Sequence, residues 1–204
     1  KNTALAHEIT KDDISFYPII YWPITDNENG LSDNMINKVQ VYMKNGGLIV
    51  FDTRDLSPTN IITKNKSKEQ KALKVILKSL DLPILIKVPE SHVIRRSFYL
   101  LDKLPGRYTG GDVWVEATAM NSKDGVSSVI IGGNDWASAW AKDSNYKPLH
   151  SVIPGGEKQR EFSYRFGVNL VMYAMTGNYK ADQVHIKSIL KRLNNKPNKT
   201  KEIE

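Results

Sequence analysis

The chain has 204 residues, 40% hydrophobic and 25% charged, so it is long enough and apolar enough to bury the core of one globular domain. It contains no cysteine, which excludes disulfides, thiolate metal sites and cysteine nucleophiles from this sequence. The formal net charge is +7, and no apolar run approaches the length of a membrane-spanning helix, about 18 residues.

The first part of the chain alternates strand and helix patterns. Residues 16–22 form an apolar run typical of a buried strand, and Ser32 is placed to cap a helix that ends at Gly46 and Gly47. The uninterrupted apolar run at residues 48–51 indicates a strand that is covered on both faces of a sheet.

A second helix and a third strand follow in the same order. Ser67 and Gln70 have the spacing of a capping box, and the helix that they begin carries apolar residues at helical spacing up to Leu80. Residues 84–88 have a strand pattern. An order of strand, helix, strand, helix, strand predicts a parallel sheet with right-handed crossovers.

After a turn-rich loop the chain is predicted to complete the sheet. Residues 112–117 alternate apolar and polar side chains, as a strand with one exposed face does, and residues 127–131 indicate another buried strand. Asn134 or Asp135 is placed to cap a short helix that ends at Lys142.

The C-terminal part is predicted to be helical. Residues 157–176 have the pattern of a long helix that Gly177 ends, and residues 184–193 indicate a last helix. Residues 194–204 are polar and are expected to form a disordered tail. We therefore expect one α/β domain over residues 1–193, with helices on both faces of a mostly parallel sheet.

Polar and aromatic residues follow three of the predicted strands, at the point where each strand ends. In an open parallel sheet, ligands bind beyond the carboxyl ends of the strands, near the point where the strand order reverses. We therefore expect these residues to converge on one edge of the sheet, where a turn-borne arginine completes the surface. The predicted ligand-binding residues are Trp22, Asp52, Arg54, Asp55, Arg107, Asn134, Asp135 and Trp136.

Asp52 is the sharpest of these candidates, and it has two interpretations. A carboxylate directly after a buried strand is a frequent place for a metal ligand, a nucleophile or another part of a polar binding site. Arg54 lies between Asp52 and Asp55, so an ion-pair cluster that fixes the loop is the alternative. Arg54 also stands where an Asp-x-Asp nucleophile motif needs its second aspartate, and that motif is therefore absent.

Other motifs that carry chemistry are weak in this sequence. Gly132 and Gly133 precede Asn134 at a predicted helix N-terminus, which is typical either of an anion site built from backbone N–H groups or of a glycine turn with a helix cap. The four histidines are scattered without metal-ligand spacing, and no Gly-x-Ser-x-Gly elbow is present. We predict no metal ion and no cofactor.

The lysine-rich segment 64–78 also has two interpretations. It lies on a predicted helix, where it is typical of a solvated charged surface, but it also suits contact with anionic lipid headgroups. A nucleic-acid interface usually adds arginines and aromatics, so no nucleic-acid partner is predicted.

Several segments together resemble one known family. They are residues 16–24, 42–47, 51–55, 98–101, 105–108, 134–135 and 167–185. They resemble a domain of unknown function at the C-terminal end of large bacterial, mainly alphaproteobacterial, membrane proteins. Those proteins begin with a double-transmembrane region like that of the aerotolerance (Bat) proteins.

The resemblance implies a three-layer, flavodoxin-like fold of the class I glutamine amidotransferase type. It also implies that this chain is a soluble domain of a membrane-anchored bacterial protein, on a side of the membrane that the sequence leaves open. The implied partners are the membrane-anchored remainder of the same protein and other envelope proteins. Amidotransferases of this fold use a cysteine nucleophile, and the sequence has none, so glutamine hydrolysis through a thioester is not expected.

The leading interpretation is a non-catalytic module that binds a ligand or a partner protein at the predicted strand-end residues. Its parent would serve cell-envelope assembly or stress tolerance. The alternative interpretation is a hydrolase that uses Asp52 or Asp55 as a base, with a divalent metal ion as a possible aid.

Overall fold

Five strands form one open sheet in a computed structural model, which describes residues 13–26, 28, 30–56, 66–117 and 126–194, with side chains up to Met175. The strand order is β1-β2-β5-β4-β3. The strands are β1 (Ile19–Pro23), β2 (Leu48–Asp52), β3 (Leu85–Lys87), β4 (Trp114–Glu116) and β5 (Val129–Gly132).

The sheet is mixed, so the prediction of an α/β fold is confirmed and the prediction of a mostly parallel sheet is wrong. β2 pairs in parallel with β1 and β5, whereas β4 runs antiparallel to both β5 and β3. The alternation expected at residues 112–117 does not explain this direction, because β4 has no solvated face: Val115 and Glu116 are buried and Trp114 is half-buried. The direction of β4 is set by its pairing with β3 and β5, which a local sequence pattern does not encode.

Four α-helices and two short 3-10 turns accompany the strands within the described residues. The helices are α1 (Asp33–Lys44), α2 (Lys68–Ser79), α3 (Trp136–Trp140) and α4 (Gly156–Asn194), and the 3-10 turns are Ile14–Phe16 and Val93–Arg95. Both predicted serine caps are present, because Ser32 Oγ accepts a hydrogen bond from the N–H of Met35 and Ser67 Oγ accepts one from the N–H of Gln70.

Alternate residues of β2 divide between two hydrophobic cores, one on each face of the sheet. Ile49 and Phe51 pack with the buried faces of α1 and α2. Leu48 and Val50 pack with Trp136 of α3 and with α4. Because β2 is covered on both sides, all five of its residues are buried, as its uninterrupted apolar run predicted.

Helix α4 is continuous over 39 residues, so the predicted stop at Gly177 is wrong. A single glycine inside a helix costs only about 1 kcal/mol relative to alanine, and the helical pattern on both sides of Gly177 outweighs it. The expected disordered tail lies almost wholly outside the described residues. Among the described helices, none is both long enough and apolar enough to cross a bilayer.

Candidate functional site

Asp52 ends β2 with its side chain fully buried, and both of its oxygens are occupied by donors from the protein. Oδ2 accepts hydrogen bonds from the Tyr21 hydroxyl at 2.6 Å and from the N–H of Trp136 at 2.9 Å. Oδ1 accepts from the N–H of Arg54 at 3.0 Å and from the N–H of Asp135 at 3.3 Å. The carboxylate therefore joins the ends of β1, β2 and β5.

This arrangement makes Asp52 and Tyr21 the cap of α3. The first N–H groups of a helix have no partner within the helix, and the Asp52 carboxylate accepts from Trp136 while the Tyr21 hydroxyl oxygen accepts from Ala137. Asp135, which precedes the helix, makes no side-chain capping bond among the described residues. The structure thus shows a polar cluster after β2 whose partners come from distant parts of the chain.

Burial governs the electrostatics of the pair. Burial raises the pKa of the Asp52 carboxyl above its usual value, and the hydrogen bonds from Tyr21 and from three backbone N–H groups oppose that rise. Burial and the nearby Asp52 charge raise the pKa of the Tyr21 hydroxyl, so Tyr21 stays a donor at every physiological pH.

Asp55 is also buried, but its carboxylate has different hydrogen-bond partners from that of Asp52. Its Oδ1 accepts from the Thr53 hydroxyl and its Oδ2 accepts from the Gln70 amide, each at 2.5 Å. Gln70 therefore ties α2 to the loop after β2 instead of completing the predicted capping box. A Cβ at Gly133 would lie 2.5 Å from Asp55 Oδ1, so the glycine is needed for this packing.

The predicted anion site at the start of α3 has another occupant. The N–H groups of Asp135 and Trp136, at the N-terminus of α3, already donate to the Asp52 carboxylate. A Cβ at Gly132 would meet the Trp136 ring at 2.3 Å. The glycines therefore serve the packing of the turn and the helix cap, which is the second of the two interpretations of this motif.

Asp135 and Asn134 each keep one buried oxygen without a partner among the described residues. Asp135 has left-handed backbone torsions (φ 55°), and its Oδ2 lies 3.6 Å from Arg107 Nη1, while its Oδ1 has no donor. The Asn134 amide donates to the Leu104 carbonyl at 2.9 Å, and its Oδ1 has no donor. Buried acceptors without donors are uncommon in folded proteins, so these two oxygens are candidates for a functional contact.

Both tryptophans of the predicted binding surface are packed into the cores. Trp136 is fully buried against Phe166, so it has no exposed surface with which to contact a ligand. Trp22 is half-buried and packs against Phe51 on the α1–α2 face, and its indole N–H donates to Glu28. The structure thus places both indoles in structural roles.

Arg54 differs from its neighbours because it is exposed. Its guanidinium donates to the Ile24 carbonyl at 2.9 Å, and its backbone has left-handed torsions (φ 54°). The expected ion pairs between Arg54 and the flanking aspartates are absent from the ion pairs of the described residues. Within the same residues, no group of three or more histidine, cysteine, aspartate or glutamate side chains is placed to hold a metal ion.

The loop around Arg107 is fixed by a buried glutamine that the sequence analysis did not single out. Gln159 of α4 donates to the carbonyls of Gly106, Arg107 and Ile153 at 2.9 to 3.2 Å and accepts from the N–H of Gly155. A buried amide on a helix has no sequence signature, because a solvated glutamine on the same helix has the same pattern.

Two neighbouring pockets share part of their lining. The polar pocket has a volume of about 250 Å³, and Val88, Leu104, Val113 and Asn134 are among the residues that line it. The apolar pocket, about 390 Å³, opens next to it between the 100–109 loop and the first turn of α4. The sequence did not predict these pockets, since their walls come from loops without regular patterns.

The match to known families covers most of the chain. No curated protein sequence matches it. A family model described as domain of unknown function (DUF4159) matches residues 1–175, which include every strand of the sheet and all eight of the predicted binding residues. The chain therefore belongs to the DUF4159 family.

Proposed function

We propose that this domain is a non-catalytic binding module of a larger, membrane-anchored bacterial protein. The observation that carries the proposal is the state of Asp52, the carboxylate best placed for chemistry. It is buried, and four internal donors occupy its oxygens, so it acts as a fixture of the fold. A carboxylate used in this way supports a neighbouring surface instead of reacting itself.

The proposed binding site is the strand-end surface, which we define as Arg54, Arg107, Asn134 and Asp135. Arg54 is exposed and Arg107 is partly exposed, so both guanidinium groups reach solvent. Asn134 and Asp135 supply the two buried oxygens that lack donors. Arginine anchors beside unsatisfied acceptors are typical of recognition sites, where a few residues supply most of the affinity.

The proposal extends to the fold type and the parent protein. Helices on both faces of the sheet and parallel pairing of β1, β2 and β5 support a three-layer, flavodoxin-like arrangement related to class I glutamine amidotransferases, with β4 as an antiparallel departure. Function in the cell envelope or in stress tolerance, with other envelope proteins as partners, rests on the resemblance alone.

The alternative, a hydrolase that uses Asp52 or Asp55, has less support. The two carboxylates accept from different donors, Asp52 from Tyr21 and Asp55 from Gln70, and both side chains are buried. A general base must reach the proton of a bound substrate or water. Hydrolysis of a small ester or phosphate that is lost in the Asp55→Asn variant would favour this alternative.

A thermal-shift screen against metabolites, nucleotides and divalent metal ions tests the binding function. A ligand at about a hundred times its Kd stabilises the folded state by about 2.7 kcal/mol, which raises Tm by about 5–10 °C for a domain of this size. The shift should shrink in the Arg107→Gln variant and persist in Lys147→Gln, a change at an exposed lysine that is not part of the strand-end surface. A screen with no shift, or hits insensitive to Arg107→Gln, would contradict the proposal.

Fractionation of cells tests the membrane-anchored parent. An antibody against this domain should detect a larger protein in the membrane fraction that detergent releases and an alkaline carbonate wash does not. Recovery of the antigen in the carbonate supernatant would contradict an integral anchor.

A further inference from the structure

The polar and apolar pockets meet at three side chains that border both of them. These are Asp102, Lys103 and Thr109, which carry a carboxylate, an ammonium group and a hydroxyl. None of the three side chains has a hydrogen-bond or ion-pair partner among the described residues. The junction of the pockets thus offers one negative charge, one positive charge and one neutral polar group to a ligand.

The backbone under this junction is held in place from below. Arg95 donates to the carbonyls of Val88, Pro89 and Asp102 through all three of its guanidinium nitrogens, and among the described residues it forms no ion pair with the Asp102 carboxylate. Lys87, at the outer wall of the polar pocket, is paired with Asp112 at 2.7 Å. The charges left for a ligand at the junction of the two pockets are therefore those of Asp102 and Lys103.

Asn134, one of the residues that line the polar pocket, carries a buried acceptor. Its Oδ1 is buried and receives no donor from the described residues, and its Nδ2 is already used by the Leu104 carbonyl. A ligand that satisfies this site must therefore bring an N–H or O–H donor.

The apolar pocket has the opposite chemistry. Leu100, Pro105 and Phe162 line it, and the Leu100 side chain is 84% exposed. Its polar rim is Lys158, which has no ion-pair partner among the described residues. A branched or aromatic side chain placed here would cover the leucine and the phenylalanine ring, which removes apolar surface from water.

We propose that the two pockets together bind a free α-amino acid with an apolar side chain. Its ammonium group would lie with Asp102 and Asn134, its carboxylate with Lys103 and Thr109, and its side chain in the apolar pocket. The inference rests on the proposed binding function and names the ligand class. Fatty acids lack the donor that the acceptors need, and nucleotides would bring several negative charges against Asp102.

Isothermal titration of the whole chain with L-leucine and with L-phenylalanine tests the proposal. Two leucine analogues separate the charges: 4-methylpentanoate lacks the ammonium group, and 3-methylbutylamine lacks the carboxylate. A charge-assisted hydrogen bond contributes about 1.5–3 kcal/mol, so each analogue should bind at least about tenfold more weakly than leucine. Amide shifts of Gly110 and Gly111 on addition of leucine should locate the site by NMR.

Single substitutions test whether the charges of Asp102 and Lys103 bind the amino acid. Asp102→Asn and Lys103→Met change exposed side chains whose backbone contacts remain, and each should weaken leucine binding at least about tenfold. Asp81→Asn and Lys147→Met are matched changes at exposed sites away from the pockets and should leave Kd unchanged. Unchanged Tm and circular dichroism show that each variant is folded.

Three outcomes overturn the proposal. They are no heat of binding with either amino acid up to about 10 mM, equal affinity for leucine and its analogues, and binding that Asp102→Asn and Lys103→Met leave intact. If the amino acids fail while another compound raises Tm in an Arg107-dependent way, the inference is wrong and the binding function stands. If no compound binds, both are wrong.

Discussion

At the scale of single residues, the buried carboxylate of Asp52, which lies at the end of β2, caps the N-terminus of α3. Each of its oxygens accepts at least one backbone N–H, from Arg54 and Asp135 on one side and from Trp136 on the other. Every such donor is fixed by its own strand end or helix start. The side chain at position 52 must therefore offer two acceptors, and only a carboxylate of this length does so.

We expect Asp52→Asn to destabilise the domain by about 2–4 kcal/mol, because the amide nitrogen must face a backbone N–H in either orientation. Urea unfolding measures the loss. The control is Asp112→Asn, which breaks an exposed pair with Lys87 and should change the free energy of unfolding by less than about 0.5 kcal/mol. Equal effects of the two substitutions would show that the cap contributes nothing special.

His92 makes stability depend on pH. Burial, and then the charges of Arg95 and Arg96, lower its pKa below the usual 6.5, and its Nδ1 accepts from the N–H of Ile94. The unfolded chain therefore binds more protons than the folded one just below pH 6.5. The stabilisation from neutral His92 is complete above pH 6.5 and decreases as the pH falls from 6.5 towards the folded pKa.

We therefore expect His92→Asn, which keeps an acceptor for Ile94, to remove part of this loss of stability between pH 6.5 and the folded pKa. The measurement is the free energy of unfolding at several pH values, plotted to give its slope against pH. The exposed His150 provides the control, since His150→Asn should leave the slope as it is. A wild-type slope that survives in His92→Asn would assign the pH dependence to other groups.

The sequence pattern indicated the strand ends to within about two residues, but not what the side chains at those ends touch. Asp52 was singled out because a carboxylate follows an apolar run, and that position is correct. Its partners Tyr21 and Trp136 are 31 and 84 residues away in the chain, and no local pattern encodes those contacts. The burial of Trp136 was missed for the same reason, because the Phe166 ring that covers it belongs to α4.

At the scale of elements, the loop that carries Arg107 lies directly on the turn that begins α3. The N–H of Arg107 donates to the carbonyl of Asp135, and the N–H of Tyr108 donates to that of Asn134. A Cβ at Gly106 would lie 2.3 Å from the Asn134 carbonyl oxygen, which is backbone and cannot move alone. The strand-end surface therefore depends on a glycine at position 106.

We expect Gly106→Ala to lower the free energy of unfolding by about 2–3 kcal/mol, because the loop and the α3 turn must separate to make room for a methyl group. Thermal or urea unfolding measures it. The matched control is Gly30→Ala, where a Cβ would be 3.6 Å from Val75, an ordinary contact, and where little change is expected. A well-folded Gly106→Ala variant with unchanged stability would show that the two segments are loosely packed.

Elements with strong local patterns were predictable, and elements defined by neighbours were not. The caps of α1 and α2 and the buried β2 follow from serine spacing and an apolar run. The direction of β4 depends on which strands it joins, and no local pattern in the sequence encodes that choice. Gly177 was misjudged because a glycine signal is weak against helical residues on both sides.

At the scale of the whole molecule, the two faces differ in what they show to solvent. The face with α3 and α4 carries the pockets and the strand-end surface, whereas α2 lies on the other face with Lys71, Lys74 and Lys78 exposed at helical spacing. Val75 is 48% exposed beside these lysines. A domain attached to a membrane can use such a face to contact headgroups while the pocket face stays accessible.

We expect the chain to bind vesicles that contain phosphatidylserine and to bind neutral phosphatidylcholine vesicles much more weakly. Each lysine near an anionic surface contributes about 1 kcal/mol, so changing Lys71, Lys74 and Lys78 to glutamine should weaken binding by up to about a hundredfold. Co-sedimentation measures it. Binding should also fall as salt rises, because the Debye length shrinks from about 10 Å at 0.1 M to about 3 Å at 1 M.

The control for this prediction removes the same charge elsewhere, by changing Lys142, Lys147 and Lys158 to glutamine. These exposed lysines lie outside α2, so the triple variant should keep most of its vesicle binding if the α2 face makes the contact. An equal loss in both triple variants would mean that net charge alone attracts the chain to the membrane. Vesicle binding that does not depend on lipid charge or on salt concentration would rule out an electrostatic contact. The lysines of α2 would then form only a solvated surface.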